Sequence, residues 1–327
     1  KPVMRPPRLL TRSLLAATFI LVSTVLTVSA QADAWREGAP MSTARAHAGG
    51  VLVGDDLYVI GGSSTSGPRS LTEIYDTVGN IWRAAAAMPV GLEQFGAATD
   101  GSKIYVVGGF ESTGVPGDPI IESNELRVFD VGSGAWSNGP KMPGARVGQS
   151  AVCVNGKVYV IGGRGPAASR MFVFDIGANT WSTANSAVPS PRSDSAVVVV
   201  GKDIYVIGGK DGSSASARVD IYDTASGAWR SGPALPAARD GHVAALNGGE
   251  IHVSGGQIIS PPKTYGDHFV LDLKTNNWRR EAALPTPRHG SIAAASHGKF
   301  IVVGGAPGAG VYTVFTSSDV VDIYTGQ

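Results

Sequence analysis

The stretch IYVIGGKDGSSASARVDIYDTASGAW, residues 204–229, contains the pattern that decides the fold. It opens with the β-branched and aromatic run Ile204-Tyr-Val-Ile207, which is typical of a buried strand and ends directly at Gly208-Gly209. A second such run ends at Tyr222-Asp223, and Trp229 follows that aspartate by six residues. The order predicts a strand, a polar turn and a strand, in which the aspartate accepts backbone N–H bonds and the indole packs as a wedge.

The same pattern recurs six times along the chain. The glycine pairs begin at Gly61, Gly108, Gly162, Gly208, Gly255 and Gly304. The tryptophans are Trp35, Trp82, Trp136, Trp181, Trp229 and Trp278. An arginine stands 16 residues before five of the six pairs, and Leu92 takes its place in the second copy. Self-similarity at steps of 45 to 54 residues indicates a repeat architecture, in which neighbouring copies bury one another's faces.

This succession of arginine, strand, Gly-Gly, aromatic-Asp and tryptophan resembles the kelch repeat. The resemblance implies an all-β fold, a six-bladed kelch β-propeller with four antiparallel strands in each blade. The chain ends at Val321-Asp-Ile-Tyr324 without a following tryptophan, whereas Trp35 precedes the first complete copy. We therefore expect the N-terminal strand to complete the last blade, so that residues 31–327 form a single closed propeller.

The first 30 residues differ in composition from the rest. The charges before Asp33 are all basic: Lys1, Arg5, Arg8 and Arg12. They precede a 16-residue apolar stretch from Ser13 to Val28 that leads into Ser29-Ala30. This order fits a secretory signal peptide, so we expect residues 1–30 to be removed and the protein to be periplasmic or extracellular. An uncleaved membrane anchor is the alternative, although a spanning helix needs about 20 apolar residues.

Composition excludes several classes of function. With 44 glycines and only 16% charged residues among 327, the chain is neither disordered nor a coiled coil. Removal of residues 1–30 leaves 23 basic against 26 acidic residues, so we expect no nucleic-acid partner. The single Cys153 can form neither an intramolecular disulfide nor a cysteine zinc site. We expect a monomer that has no cofactor and does not associate with membranes after cleavage.

Candidate binding residues begin the loops that lead into the inner strands. Five arginines on one face would form a basic funnel suited to carboxylates or acidic peptides: Arg45, Arg146, Arg192, Arg239 and Arg288. The alternative is that each arginine buttresses its own blade by bonding loop carbonyls. Ligand contacts are also expected from residues that differ between the copies: His47, Gln94, Asp194, Asp240, His242 and His289. The histidines of this set could bind a metal ion only if they converged across the channel, and we expect no metal.

Two functions are consistent with the resemblance. We expect a non-catalytic exported propeller that binds a protein, or an acidic small molecule or carbohydrate, at the funnel mouth, because kelch propellers are most often recognition platforms. The alternative is enzymatic, since the chain also resembles the bacterial N-acetylneuraminate epimerases, which interconvert the anomers of sialic acid. Mutarotation needs a general acid or base near the ring oxygen. The resemblance implies a glutamate at the end of a second strand for this role, where every copy here has glycine.

Overall fold

The computed structural model describes residues 34–115 and 117–326, and in this part of the chain six four-stranded antiparallel sheets form the blades. The expected signal peptide lies outside the described residues. From the inner to the outer edge, the strands of blades 1 to 3 are Gly49–Val53, Asp56–Ile60, Thr72–Asp76 and Ile81–Ala85; Gly96–Thr99, Lys103–Val107, Leu126–Asp130 and Ala135–Asn138; Val147–Val154, Lys157–Arg164, Phe172–Asp175 and Thr180–Thr183. Those of blades 4 to 6 are Ala196–Val200, Asp203–Ile207, Val219–Asp223 and Ala228–Ser231; Val243–Asn247, Glu250–Ser254, His268–Asp272 and Asn277–Glu281; Ile292–Ser296, Lys299–Val303, Val321–Tyr324 and Trp35–Glu37.

Short elements lie on one face, which we call the mouth face; all follow the second strands except Gly91–Glu93, which precedes the inner strand of blade 2. They are Ser63–Ser64 with Gly67–Pro68; Gly91–Glu93 with Phe110–Ser112 and Ile121–Glu122; Lys210–Asp211 with Ser214–Ala215; Gln257–Ile258 with Lys263–Thr264; and the 3-10 helix Gly310–Phe315. Isolated bridges such as Asp240 to Gln257 tie the loops into the inner strands to these elements. Both sets of loops therefore emerge on the same face. No helix in the described part of the chain is long and apolar enough to cross a membrane.

The apolar core lies between neighbouring blades. In blade 1, Tyr58 and Ile60 pack in one cluster with Ile104, Val106 and Phe129 of blade 2. Each sheet is covered on both faces by its neighbours, which explains why the second strands are continuous apolar runs rather than alternating ones.

The turns and wedges predicted from the repeat are confirmed. The Asp223 carboxylate accepts hydrogen bonds from the amides of Ala225 and Ser226. Trp278 Nε1 donates to the Pro233 carbonyl, in the segment that follows blade 4, at 3.0 Å. Five of the six repeat tryptophans tie their blade to the preceding one by such a hydrogen bond, Trp229 being the exception among the described residues.

The circle of six blades closes without a covalent link. Trp35 lies opposite Tyr324 in an antiparallel pairing, which confirms that the N-terminal strand completes the last blade. The second glycine of each pair also donates its amide to the next blade, and across the closure Gly305 donates to the Arg45 carbonyl at 3.0 Å. The first position of each pair requires glycine, because the neighbouring blade approaches its backbone closely. At Gly162, where φ is +68°, a Cβ would lie 2.3 Å from the carbonyl oxygen of the facing residue in blade 4.

Trp35 provides a test of the closure. Its buried indole donates from Nε1 to the Ala282 carbonyl of the preceding segment at 2.7 Å. We expect Trp35→Phe to lower the free energy of unfolding by about 1–3 kcal/mol, because a buried carbonyl loses its donor. Urea denaturation followed by circular dichroism measures the loss. Trp229→Phe is the matched control, since Trp229 Nε1 has no hydrogen-bond partner among the described residues; equal losses in the two variants would contradict this account.

Candidate functional site

Six loop residues form a ring around the mouth of the central channel. They stand two positions after the repeat arginine or its replacement, and each has a φ between +53° and +66°: His47, Gln94, Gly148, Asp194, Gly241 and Gly290. Each N–H donates to the carbonyl of the equivalent residue in the preceding blade, at distances from 2.7 to 3.1 Å. These six hydrogen bonds form a closed circle, which holds His47 and Gln94 in a conformation that such residues rarely adopt.

The five repeat arginines do not surround this mouth, which corrects the prediction of a basic funnel. All are buried inside their own blades and at most 4% exposed: Arg45, Arg146, Arg192, Arg239 and Arg288. Arg192 Nε donates to the Gly208 carbonyl at 2.6 Å, and its Nη1 pairs with Asp220 at 2.8 Å. Burial lowers the pKa of Arg146 and that of Arg239 to about 10, which leaves both protonated at neutral pH. The structure thus shows the alternative, arginines that buttress blades.

A polar network lies beside the ring, in blades 4 and 5. Lys210 Nζ lies 2.9 Å from Asp194 Oδ2 and 3.1 Å from Asp240 Oδ1. Gln257 Nε2 donates to the same Asp240 oxygen at 3.1 Å, and its Oε1 accepts the amide of Gly310 at 2.8 Å. Burial alone would raise the pKa of Asp194, but the charge and hydrogen bond of Lys210, together with the charges of His47 and Arg164, outweigh it and the pKa is lowered. The pKa of Asp240 is raised by burial, despite Lys210, with a further contribution from the Asp194 charge.

The histidines of the candidate set are placed at different depths. Burial lowers the pKa of His242 and that of His289 to about 3, so both are neutral at neutral pH. His289 Nε2 lies 3.0 Å from the Gly308 carbonyl and from Thr313 Oγ1, and its ring centroid is 5.5 Å from that of His47. Within residues 34–115 and 117–326, no group of three or more His, Cys, Asp or Glu side chains is arranged to hold a metal ion.

Above the ring, the mouth-face elements enclose a funnel of about 380 Å³ to which all six blades contribute. One wall is polar and includes Glu93, Gln94 and Arg164. The exposed Arg164 guanidinium donates to Gln94 Oε1 at 2.6 Å, so it is bonded to an amide rather than to a carboxylate. The opposite wall is apolar and includes Ile259 and Val311. The funnel therefore suits a ligand that has both an apolar and a polar side.

The 3-10 helix Gly310–Phe315 presents large apolar side chains at the rim. Val311 is 79% exposed, Tyr312 60% and Phe315 73%. The helix is held from below by polar contacts, since Gln257 bonds its first amide and Thr313 lies against the ring of a buried histidine. Clustered exposed apolar side chains of this kind mark interaction sites more often than chance.

The sequence placed part of this site. Of the predicted ligand contacts that differ between the copies, three lie on the mouth ring: His47, Gln94 and Asp194. The other three are buried close to it: Asp240, His242 and His289. Sequence reasoning missed the contribution of three funnel residues: Arg164, Lys210 and Gln257. Each directly follows the glycine pair of its blade, at a position where the copies differ. That position on the mouth face was the signal that could have found them.

Two family models match the chain. The model described as KLHDC2/KLHL20/DRC7 Kelch-repeats domain matches residues 148–323, more than half of the chain, and the model described as Kelch motif matches residues 44–89 and 93–143. The solved structure of YjhT is similar, with a TM-score of 0.75 at 16% sequence identity, covering 86% of this chain and 95% of that one. At this identity the likeness concerns the fold alone. No curated protein sequence matches the chain.

Proposed function

Because the chain belongs to the kelch-repeat family of β-propellers, we propose that it is an exported, non-catalytic recognition module that binds a segment of a partner protein in the funnel. Kelch propellers commonly act as protein-binding modules. The observation that carries the proposal is the exposed apolar rim, Val311, Tyr312 and Phe315, next to a funnel built by six blades. Large aromatic side chains at such positions supply much of the binding energy of protein interfaces.

The charges of the funnel favour a protein segment over a strongly acidic ligand. The cations are Arg164 and Lys210. The carboxylates are Glu93 and Asp194, with Asp240 buried beside them. Because the repeat arginines are withdrawn into the blades, no excess of positive charge remains to attract an acidic ligand. A peptide that places an apolar side chain on one wall and polar groups on the other fits both walls.

Selection of random dodecapeptides displayed on phage, with the purified protein as bait, tests the proposal. We expect enriched peptides that carry large apolar residues, and at least a tenfold loss of their affinity for the double variant Tyr312→Ser/Phe315→Ser. The matched control is Val78→Ser/Ile81→Ser, which alters two residues of blade 1 that are 59% and 61% exposed away from the funnel. Equal affinity of the peptides for both variants and the parent protein would reject the funnel rim as the binding site.

A second candidate function, interconversion of the anomers of a sugar acid, is favoured by one observation. The funnel places Arg164, a partner for a carboxylate, in the same cavity as His47 and Glu93, two groups that exchange protons. If this function holds, the protein will speed the approach of freshly dissolved N-acetylneuraminate to anomeric equilibrium, measured by NMR, and Arg164→Gln will slow it. No acceleration at micromolar protein would reject this candidate and leave protein recognition standing.

A further inference from the structure

A second cavity lies on the face opposite the mouth. It measures about 420 Å³ and is bounded by blades 5 and 6, near the turns between inner and second strands. Its functional groups are Glu250, His252, Arg279 and Glu281 of blade 5 and Tyr324 of blade 6. Recognition at the mouth face makes no use of these groups, which we call the basal cluster.

The repeat does not explain three residues in this region. Where blade 5 has His252, four blades have tyrosine: Tyr58, Tyr105, Tyr159 and Tyr205. Where blade 5 has Glu281, the other five blades have only glycine or alanine: Gly38, Ala85, Gly139, Ala184 and Gly232. Where blade 5 has His268, the others have an apolar residue or threonine: Thr72, Leu126, Met171, Val219 and Val321. These substitutions concentrate polar groups at one of six otherwise equivalent places.

The imidazole of His252 lines the cavity, and its Nε2 has no hydrogen-bond partner in the described part of the chain. His252 lines the cavity and is only 5% exposed, and its Nδ1 lies 3.0 Å from Nε2 of the buried His268. The Ala282 backbone raises the pKa of His268 slightly against the larger effect of burial, and His268 Nδ1 has no hydrogen-bond partner among the described residues. If His268 carries its proton on Nδ1, its Nε2 accepts from His252 Nδ1 and a lone pair remains on His252 Nε2. Burial lowers the pKa of His252 to about 4, so this lone pair is available at neutral pH.

The carboxylates of the basal cluster exceed its cations. Arg279 donates from Nη2 to Glu250 at 2.7 Å and from Nε to Glu281 at 2.8 Å, so one guanidinium serves two carboxylates. Tyr324 donates its hydroxyl hydrogen to the other Glu281 oxygen at 3.0 Å.

The pair formed by arginine and the first of these carboxylates belongs to the repeat, because blades 1 and 4 have equivalent pairs. These are Arg83 with Asp56 and Arg230 with Asp203. Glu281 is therefore the surplus negative charge, and it gives the cavity an electrostatic preference for cations.

We propose that the basal cluster binds a compact organic ammonium ion, whose N–H groups donate to His252 Nε2 and to the carboxylates of Glu250 and Glu281. The cavity volume admits a molecule of the size of a diamine or a basic amino acid. Hydrogen bonds between an ammonium group and a carboxylate are among the stronger ones available, and partial burial strengthens them further. The site is independent of the recognition proposed for the mouth face.

Titration with putrescine, followed by NMR of the histidine ring ¹³Cε1 signals, tests the site. We expect one signal, assigned with the variant His252→Tyr, to shift and saturate. Butane-1,4-diol, which has the same chain length without charge, should bind at least tenfold more weakly. The absence of a shift at millimolar putrescine, or equal binding of the diol, would overturn the proposal.

Variants of the surplus carboxylate separate binding from folding. Glu281→Ala restores the small residue of the other blades and should weaken putrescine binding at least tenfold, while Glu281→Gln removes the charge and keeps a side chain of the same shape. The matched control is Glu125→Ala, because Glu125 has a similar exposure, 27% against 28%, and its own ion pair with Lys141. Unchanged binding by both folded Glu281 variants would contradict the assignment, as would a comparable loss in the control.

Discussion

Arg288→Ala is expected to lower the free energy of unfolding by about 3–5 kcal/mol, because it removes one partner of a buried ion pair. Arg288 Nη1 lies 2.6 Å from the buried carboxylate of Asp322, and its Nε donates to the Gly304 carbonyl at 2.8 Å. The variant leaves both acceptors without this donor and opens a cavity between them. Urea denaturation followed by circular dichroism measures the difference.

Two further variants sharpen this measurement. Arg230→Ala, which breaks the surface pair with Asp203, is the matched control and should cost less than about 1 kcal/mol. Arg288→Leu should recover part of the loss, since Leu92 fills the equivalent buried position in blade 2. If Arg288→Ala costs no more than the control, the arginines do not buttress the blades and the basic funnel must be reconsidered.

Lowering the pH from 7 to 4.5 is expected to remove several kcal/mol of stability through the buried histidines. Burial lowers the folded-state pKa of four of them from 6.5 to between about 3 and about 4: His242, His252, His268 and His289. Between these values and 6.5 the unfolded chain binds more protons than the folded one. Stability is therefore lost as the pH falls through 6.5, and the loss levels off near pH 3. At pH 4.5 each histidine contributes up to about 2–3 kcal/mol of this loss.

A single substitution tests the origin of this pH dependence. His252→Tyr introduces the residue that four blades have at this position and should reduce the loss between pH 7 and 4.5 by the share of one histidine. His297→Tyr, which removes an exposed histidine from a turn, is measured in parallel for comparison. An identical pH profile for the parent protein and His252→Tyr would show that this histidine is not buried in its neutral form.

The sequence predicted the fold because each blade repeats the same backbone requirement. Gly162 and its equivalents accommodate a carbonyl of the next blade, and Trp35 could be assigned to the last blade by its place in the repeat. The site was harder to predict. Regular recurrence shows that an arginine matters but not whether its side chain points to the channel or into its own blade, and the structure shows the latter for Arg192.

No recurring residue of the repeat predicts the apolar rim of the funnel. The helix Gly310–Phe315 is held by Gln257 of blade 5 and by His289 of its own blade, which lie 53 and 24 residues away from their partners in sequence. A contact between side chains so far apart leaves no local pattern in the sequence. The same holds for Lys210, whose partner Asp240 belongs to the next blade.

The circle of hydrogen bonds at the mouth has a consequence for how ligand preference can change. Each ring amide is already committed to a neighbouring carbonyl, so the loop backbone offers these N–H groups to no incoming molecule. Discrimination at the mouth must therefore come from side chains such as His47, Gln94 and Asp194. Substitutions at these positions that tolerate a left-handed backbone can alter selectivity while the scaffold beneath them stays the same.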